Sequence, residues 1–352
     1  MTGIDWRELF AANQASIARA GIPIGESGLP AAPAHQASRR PAPPPARGRG
    51  PTLRQSGARA LVHVPRGLDP STPAALVCML HGCTQDPATF AAATAMNDAA
   101  DRHGFVVVYP GQDRRRNPQG CWNWFLPEHQ RRGAGEPDAI AAVIRELATG
   151  DSRCTIDPAR VFVAGLSAGG AMALIVATCY PDLVAAVAVH SGLPYGCAEN
   201  AGAAFQAMAR PETGGNADGE VAHAAMGRHA RPVPSLVIHG TADRTVAPAN
   251  GRRVLRQSMY ANHLAVRHAS EHDLARPTTS HRFDRPGRHP YTQSRWTDAG
   301  GSLRHELIEV DGLGHAWSGG TPGGSYTDPR GPSATEAVWA FFALTAAGTP
   351  AP

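Results

Sequence analysis

With 352 residues, 42% of them hydrophobic, the chain is long enough to bury a sizeable core without disulfide staples and reads as globular. Its formal net charge of +4 is slight, its cations are all arginine, and no basic cluster is interleaved with aromatics, which argues against a nucleic-acid partner. No apolar run approaches the roughly 20 residues that a membrane-spanning helix needs, so no transmembrane segment is expected.

Ile4, Leu9, Phe10 and Ile17 recur at helical spacing and predict an N-terminal helical extension over 1–27. The stretch "GLPAAPAHQASRRPAPPPARGRGPT" reads as a proline-rich linker over 28–52, with a catalytic domain over 53–348. The N-terminus lacks the apolar core of a signal peptide, and Arg39–Arg40 is followed by prolines rather than by an apolar segment. The expected compartment is therefore the cytoplasm, with secretion as the alternative.

The body then alternates. Strands are predicted over 60–64, 75–80, 105–110, 161–165, 184–190, 235–240 and 305–310, and helices over 87–102, 137–149, 168–179, 249–259 and 333–346. Short β-branched runs between helices indicate an α/β fold with a mainly parallel sheet covered on both faces. The pattern weakens over 197–233 and 260–302. The first stretch reads equally as a surface excursion or as a frame for the substrate cleft, because such sheets bind ligands at the carboxyl ends of their strands. The second reads as surface loop.

The six cysteines, at 78, 83, 121, 154, 179 and 197, form no CxxC. Cys78 and Cys179 lie in apolar runs as buried thiols, and the other four lie at element ends where a bridge is open.

The stretch "VFVAGLSAGGAMA" (161–173) carries G-x-S-x-G from Gly165 to Gly169 between a predicted strand and helix. A nucleophile on so tight a turn takes a strained backbone, and side chains two residues away would collide with it, which glycine avoids. The N–H of Ala168 then lies at a helix N-terminus, free to donate to an anionic oxygen. A glycine-rich helix cap is the competing reading.

A serine hydroxyl needs a base, and the base a carboxylate to orient it. "LVIHGTADRTV" (236–246) sets Asp243 just past a strand, and "EVDGLGHAWSGG" (309–320) sets His315 past another among glycines. Each alone is ordinary, a capping aspartate and one of sixteen histidines. Together, in the order nucleophile, acid, base, they predict a triad of Ser167, Asp243 and His315. "MLHGCTQD" (79–86) ends a strand so that the N–H of Cys83 can face that of Ala168 as the second oxyanion donor. No phosphate loop and no metal-spaced cluster stands out, so neither cofactor nor metal is expected.

The blocks "LHGCTQ", "GCWNWF", "IDPARVFVAGLSAGGAMA", "HSGLPYGCA", "HGTADRTV" and "GLGHAWSGGTPGGSYTDPRGP" resemble, in order over about 58 to 345, those of the poly(3-hydroxybutyrate) depolymerase esterase family. The resemblance implies an α/β-hydrolase fold, Ser167 as nucleophile, Asp243 as acid, His315 as base, Cys83 and Ala168 as oxyanion donors, and a disulfide between Cys83 and Cys121. Within these blocks Trp122, Tyr195 and Trp317 are candidates to grip the acyl chain, and Gln85 to hydrogen-bond substrate. Core packing competes for the aromatics and is preferred for Trp124 and Phe125, while a turn role competes for Gln85.

The implied activity is a serine esterase acting on an ester polymer or its hydroxyacyl oligomers. With no export signal and little sequence after the last helix, an intracellular substrate is expected. Feruloyl or acetyl-xylan esters remain the alternative, since fold and triad do not separate them. A non-catalytic polymer-granule-binding protein and acyl transfer to an alcohol other than water are further rivals. The N-terminal helix offers one route to association with a granule surface, a loosely attached extension being the competing reading, and the oligomeric state is left open.

Overall fold

The structure, a computed structural model, describes residues 52–55, 58–150, 154–209, 216–266 and 276–347. The expected helical extension over 1–27 and nearly all of the linker over 28–52 lie outside these residues; Thr52, placed in the linker, instead opens the first strand.

Among the described residues ten strands make one sheet. They are β1 Thr52–Gln55, β2 Ala58–His63, β3 Ala74–Leu80, β4 Val106–Gly111, β5 Ile156–Leu166, β6 Ala186–His190, β7 Ser235–Gly240, β8 Thr279–Phe283, β9 Tyr291–Thr297 and β10 Leu303–Val310. Their order is β1-β2-β4-β3-β5-β6-β7-β10-β9-β8. From β4 through β10 each neighbour is parallel, while β2 pairs antiparallel with β4 and β9 with β10. This is the α/β-hydrolase arrangement.

The central strands are buried along their length because both faces are covered, as in "AALVCML" of β3. Side chains alternate between faces, so Val77 and Met79 join the core beneath α1 (Pro87–Thr94), α2 (Met96–His103) and α8 (Ala334–Ala347). The other face carries α3 (Gly135–Gly150), α4 (Ala168–Cys179), α6 (Asn216–Met226) and α7 (Ala249–Ala265). All twelve residues of α4 are buried, in keeping with its run of alanine and aliphatic residues. Among the described residues no helix is long and apolar enough to cross a membrane.

Three expectations change. The helix expected over 87–102 is two helices, broken at Ala95, whose φ is 52°. No glycine or proline announces the break; Thr335 Oγ1 of α8 donates to the Thr94 carbonyl at 2.6 Å, a tertiary contact at the junction. Among its described residues the stretch 197–233 holds two α-helices, α5 (Ala201–Ala209) and α6, tied to α7 by Asn250 Nδ2 on the Ala207 carbonyl and by the Arg253–Asp218 ion pair. The stretch 260–302, read as loop, supplies the edge strands β8 and β9. Their residues are exposed or half-buried, so no apolar alternation betrays them.

Candidate active site

The site lies at the carboxyl ends of β3, β5, β7 and β10. Ser167 follows β5 and precedes α4 with φ 59° and ψ −122°, a conformation that side chains rarely adopt. Its N–H donates to the His190 carbonyl at 2.9 Å and its carbonyl accepts from the Ala171 N–H at 3.0 Å. The flanking glycines are sterically required. A Cβ at Gly165 would stand 2.3 Å from the Gly169 carbonyl oxygen, and one at Gly169 would stand 2.1 Å from the Leu80 carbonyl oxygen.

Three side chains converge there. Ser167 Oγ lies 2.9 Å from His315 Nε2, and His315 Nδ1 lies 2.8 Å from Asp243 Oδ2. The acid and base loops are laced together: the Thr241 N–H donates to the Val310 carbonyl, the Ala242 N–H to the Leu313 carbonyl, and the Gly312 N–H to Thr241 Oγ1. Gly240 permits this approach, since a Cβ there would meet the Leu313 carbonyl oxygen at 2.1 Å.

Asp243 is buried, and its other oxygen accepts the N–H groups of Thr245 and Val246, each at 2.9 Å. Burial pushes its carboxyl up, but hydrogen bonds from His239 and His315, with the charge on those rings, outweigh it and hold the group well below the usual carboxylate range. The carboxylate is therefore ionised and placed to accept the hydrogen bond of the His315 Nδ1–H.

The loop after β3 runs beside Ser167. A Cβ at Gly82 would lie 3.6 Å from Ser167 Cβ. Within this turn the Gly82 N–H donates to Gln85 Oε1, the Thr84 N–H to the Gln119 carbonyl and the Gln85 N–H to the Gly82 carbonyl. The Cys83 N–H has no such acceptor among the described residues. Ala168 opens α4, so its N–H has no carbonyl within its own helix. Cys83 and Cys121 form a disulfide that ties this turn to the segment before Trp122, with Cα atoms 4.2 Å apart.

The four residues expected to grip substrate have other neighbours. Trp317 is 1% exposed; its ring stacks on His190 and meets Phe90 edge-on, and its Nε1 donates to Thr335 Oγ1. Tyr195 is buried, its hydroxyl donating to the Gln130 carbonyl at 2.6 Å. Trp122 is buried with Nε1 donating to the His81 carbonyl. Gln85 spans Gly82 and the Ser325 carbonyl and so braces the turn. Trp124 and Phe125 are core residues, as preferred for them. An aromatic residue beside a catalytic motif shows its chemistry in sequence but not its direction, and here each ring points inward.

Three histidines to which the sequence assigned no role each stand at or just past a strand end. His81 Nε2 accepts from the Gln112 N–H, so its Nδ1 donates to the Gly82 carbonyl and steadies the turn. His190 accepts the Ser318 N–H on Nε2; burial first, then the charges on His239 and His315, push its pKa down to about 3 and keep it neutral. His239 Nε2 donates to the Val246 carbonyl at 2.9 Å and stands 3.4 Å from Asp243 Oδ2, so it bounds the carboxylate opposite His315. Their signal was present, a histidine in each of "LHGCTQ", "HSGLPYGCA" and "HGTADRTV", but it reads as chemistry only once the strand ends are known.

Comparison with known proteins now decides the family. The family model described as Esterase PHB depolymerase matches residues 62–273, more than half of the chain and including Ser167 and Asp243. The chain belongs to this family. Poly(3-hydroxyalkanoate) depolymerase C of Paucimonas lemoignei is 35% identical over 262 residues, covering 74% of this chain and 58% of that protein. Feruloyl esterase B of Neurospora crassa is 31% identical over 219 residues, covering 59% of this chain and 70% of its own. The chain thus spans 58% of the length of the PHB depolymerase family relative from Paucimonas. Among solved structures an acetyl xylan esterase from Aspergillus awamori superposes with a TM-score of 0.64 at 21% identity, over 84% of this chain and 96% of that one, and shares its fold.

Proposed function

We propose that the chain is a serine esterase that hydrolyses short-chain hydroxyalkanoate esters, poly(3-hydroxybutyrate) or its oligomers, through an acyl-enzyme. One observation carries the reading, the unbroken path from Asp243 through His315 to Ser167. Ser167 Oγ attacks the ester carbonyl while His315 Nε2 takes its proton. Asp243, ionised, accepts the Nδ1–H and stabilises the imidazolium that forms. The tetrahedral oxyanion is held by the N–H groups of Cys83 and Ala168, each such donor contributing about 3 kcal/mol. His315 returns the proton to the leaving alcohol, and water, activated by the same ring, releases the acid.

The depolymerase relative supports hydroxyalkanoate esters as the substrate class. The disulfide beside the site supports an oxidising compartment, which favours secretion over the cytoplasm expected from the N-terminal sequence. Ser167→Ala should lower kcat about 10⁴-fold or more with the thermal midpoint preserved. Undiminished turnover in that variant overturns the mechanism. Across hydroxybutyrate trimer, p-nitrophenyl butyrate and methyl ferulate, the trimer should give the highest kcat/KM, and a preference for methyl ferulate overturns the substrate class.

A further inference from the structure

Five non-glycine residues among those described have positive φ: Thr84 at 65°, Ala95 at 52°, Ser167 at 59°, Ser191 at 49° and Tyr326 at 51°. Ala95 ends a helix, Ser167 occupies the nucleophile turn, and Ser191 follows β6 with its hydroxyl on His190. Thr84 is the third residue of the turn that the Gln85 N–H closes on the Gly82 carbonyl, and Tyr326 lies in a turn before a short strand, yet neither position carries the glycine such turns favour. A β-branched and a bulky aromatic residue are among the least suited to this conformation, which costs about 1–3 kcal/mol each and persists where the surroundings impose it.

The two strained residues face each other. Thr84 Oγ1 and the Tyr326 hydroxyl are 3.5 Å apart, though 242 positions separate them in the chain. Thr84 is exposed, next to Cys83 in the turn beside the nucleophile, and Tyr326 is half-buried with its ring edge-on to His315, centroids 6.4 Å apart. Neither backbone is free to drift. The Tyr326 carbonyl accepts the Trp317 N–H at 2.7 Å, the Ser325 carbonyl accepts from Gln85 Nε2, and the Thr84 N–H is held by Gln119. At 3.5 Å an O–H···O contact is weak. Among the described residues neither hydroxyl has another partner, so two hydroxyls carried on held backbone stand side by side, one in the turn of Cys83 and one against His315.

We propose that the Thr84 and Tyr326 hydroxyls together bind an oxygen of the substrate other than the two of the ester being cut, and so select oligomeric hydroxyacyl esters over simple alkyl esters. An alkyl ester carries only its two ester oxygens, which the backbone donors and His315 engage. An oligomer of hydroxy acids brings a further carbonyl or hydroxyl in every unit. The inference rests on the esterase reading and names the substrate feature that the same site recognises.

The test is Tyr326→Phe and, separately, Thr84→Val, each assayed on hydroxybutyrate trimer and on ethyl butyrate by titration of the acid released, with active sites counted by a fluorophosphonate probe. The kcat/KM ratio of trimer to butyrate should fall about tenfold in each variant, the loss of one hydrogen bond to a substrate oxygen, and mainly through KM for the trimer. A ratio within twofold of wild type overturns the inference while leaving the esterase reading standing. So does a fall confined to kcat on both substrates, which marks a structural role. If the wild type neither labels nor turns over any ester, the esterase reading fails and this inference with it.

Discussion

The two halves of the site are built differently. The acid and base leave β7 and β10, which are parallel neighbours in the sheet, and their loops are joined by backbone hydrogen bonds that continue the strand pairing. The turn of Cys83 leaves β3, on the other side of the strand that leads to Ser167, and besides the backbone bonds of Thr84 and Gln85 it is held by side chains and a covalent bridge: Gln85, His81, Trp122 and the Cys83–Cys121 disulfide. The first half inherits its geometry from the fold. The second depends more on particular side chains that can be removed one at a time, so under the proposed mechanism it is the side where activity should be lost with the Ser167–His315–Asp243 path intact.

The sharpest break falls on the first half. Asp243→Asn keeps the size and the N–H contacts from Thr245 and Val246 but offers His315 Nδ1 the wrong partner for its tautomer. The expected loss is about 10⁴-fold in kcat, with the thermal midpoint little changed. A loss under tenfold would mean that His315 does not depend on the carboxylate for its orientation. On the second half, replacing Cys83 and Cys121 together by serine should lower kcat about 10- to 100-fold, less than complete loss of one oxyanion donor. The low-field proton resonance of the His315–Asp243 hydrogen bond should persist in that variant. Full activity would show that Gln85, His81 and Trp122 hold the turn without the bridge and that the contrast between the halves is false.

The same contrast explains what could be read from sequence. The three residues that converge were legible because each follows a β-branched run, and because the turn at Ser167 forces glycine at 165 and 169 through backbone collisions that no other residue escapes. The parallel strands were legible because burial on both faces requires continuous apolar runs. The supports of the oxyanion turn were not, since whether Gln85 faces substrate or its own loop is settled by the Ser325 carbonyl, 240 positions away in the chain. The direction of Trp317 was hidden for the same reason, its ring being turned inward between His190 and Phe90. The strands β8 and β9 stayed hidden because "TSHRF" and "YTQSRWT" lack the alternation that a half-buried strand shows. Strain at Tyr326 leaves no mark in composition at all.

If the first half rests on the pairing of β7 with β10, weakening that pairing should weaken the fold before it changes the chemistry. The other end of these strands is joined by His305, whose Nδ1 stands 2.8 Å from Ser235 Oγ and whose Nε2 accepts from Asn262 at 3.3 Å. Burial, then the neighbouring Arg304 charge, push its pKa down to about 3 from the ordinary 6.5. A group whose pKa is depressed by folding stabilises the native state above its unfolded pKa, and that contribution drains away as acid protonates the unfolded chain. At pH 5.5 one such histidine should cost about 1.4 kcal/mol relative to pH 7.5. His305→Gln retains a hydrogen-bonding side chain without a proton to gain, so urea unfolding at the two pH values should show the wild type losing about 1.4 kcal/mol more than the variant. Equal losses would mean that the buried ring at this junction is not what makes the β7–β10 pairing sensitive to acid.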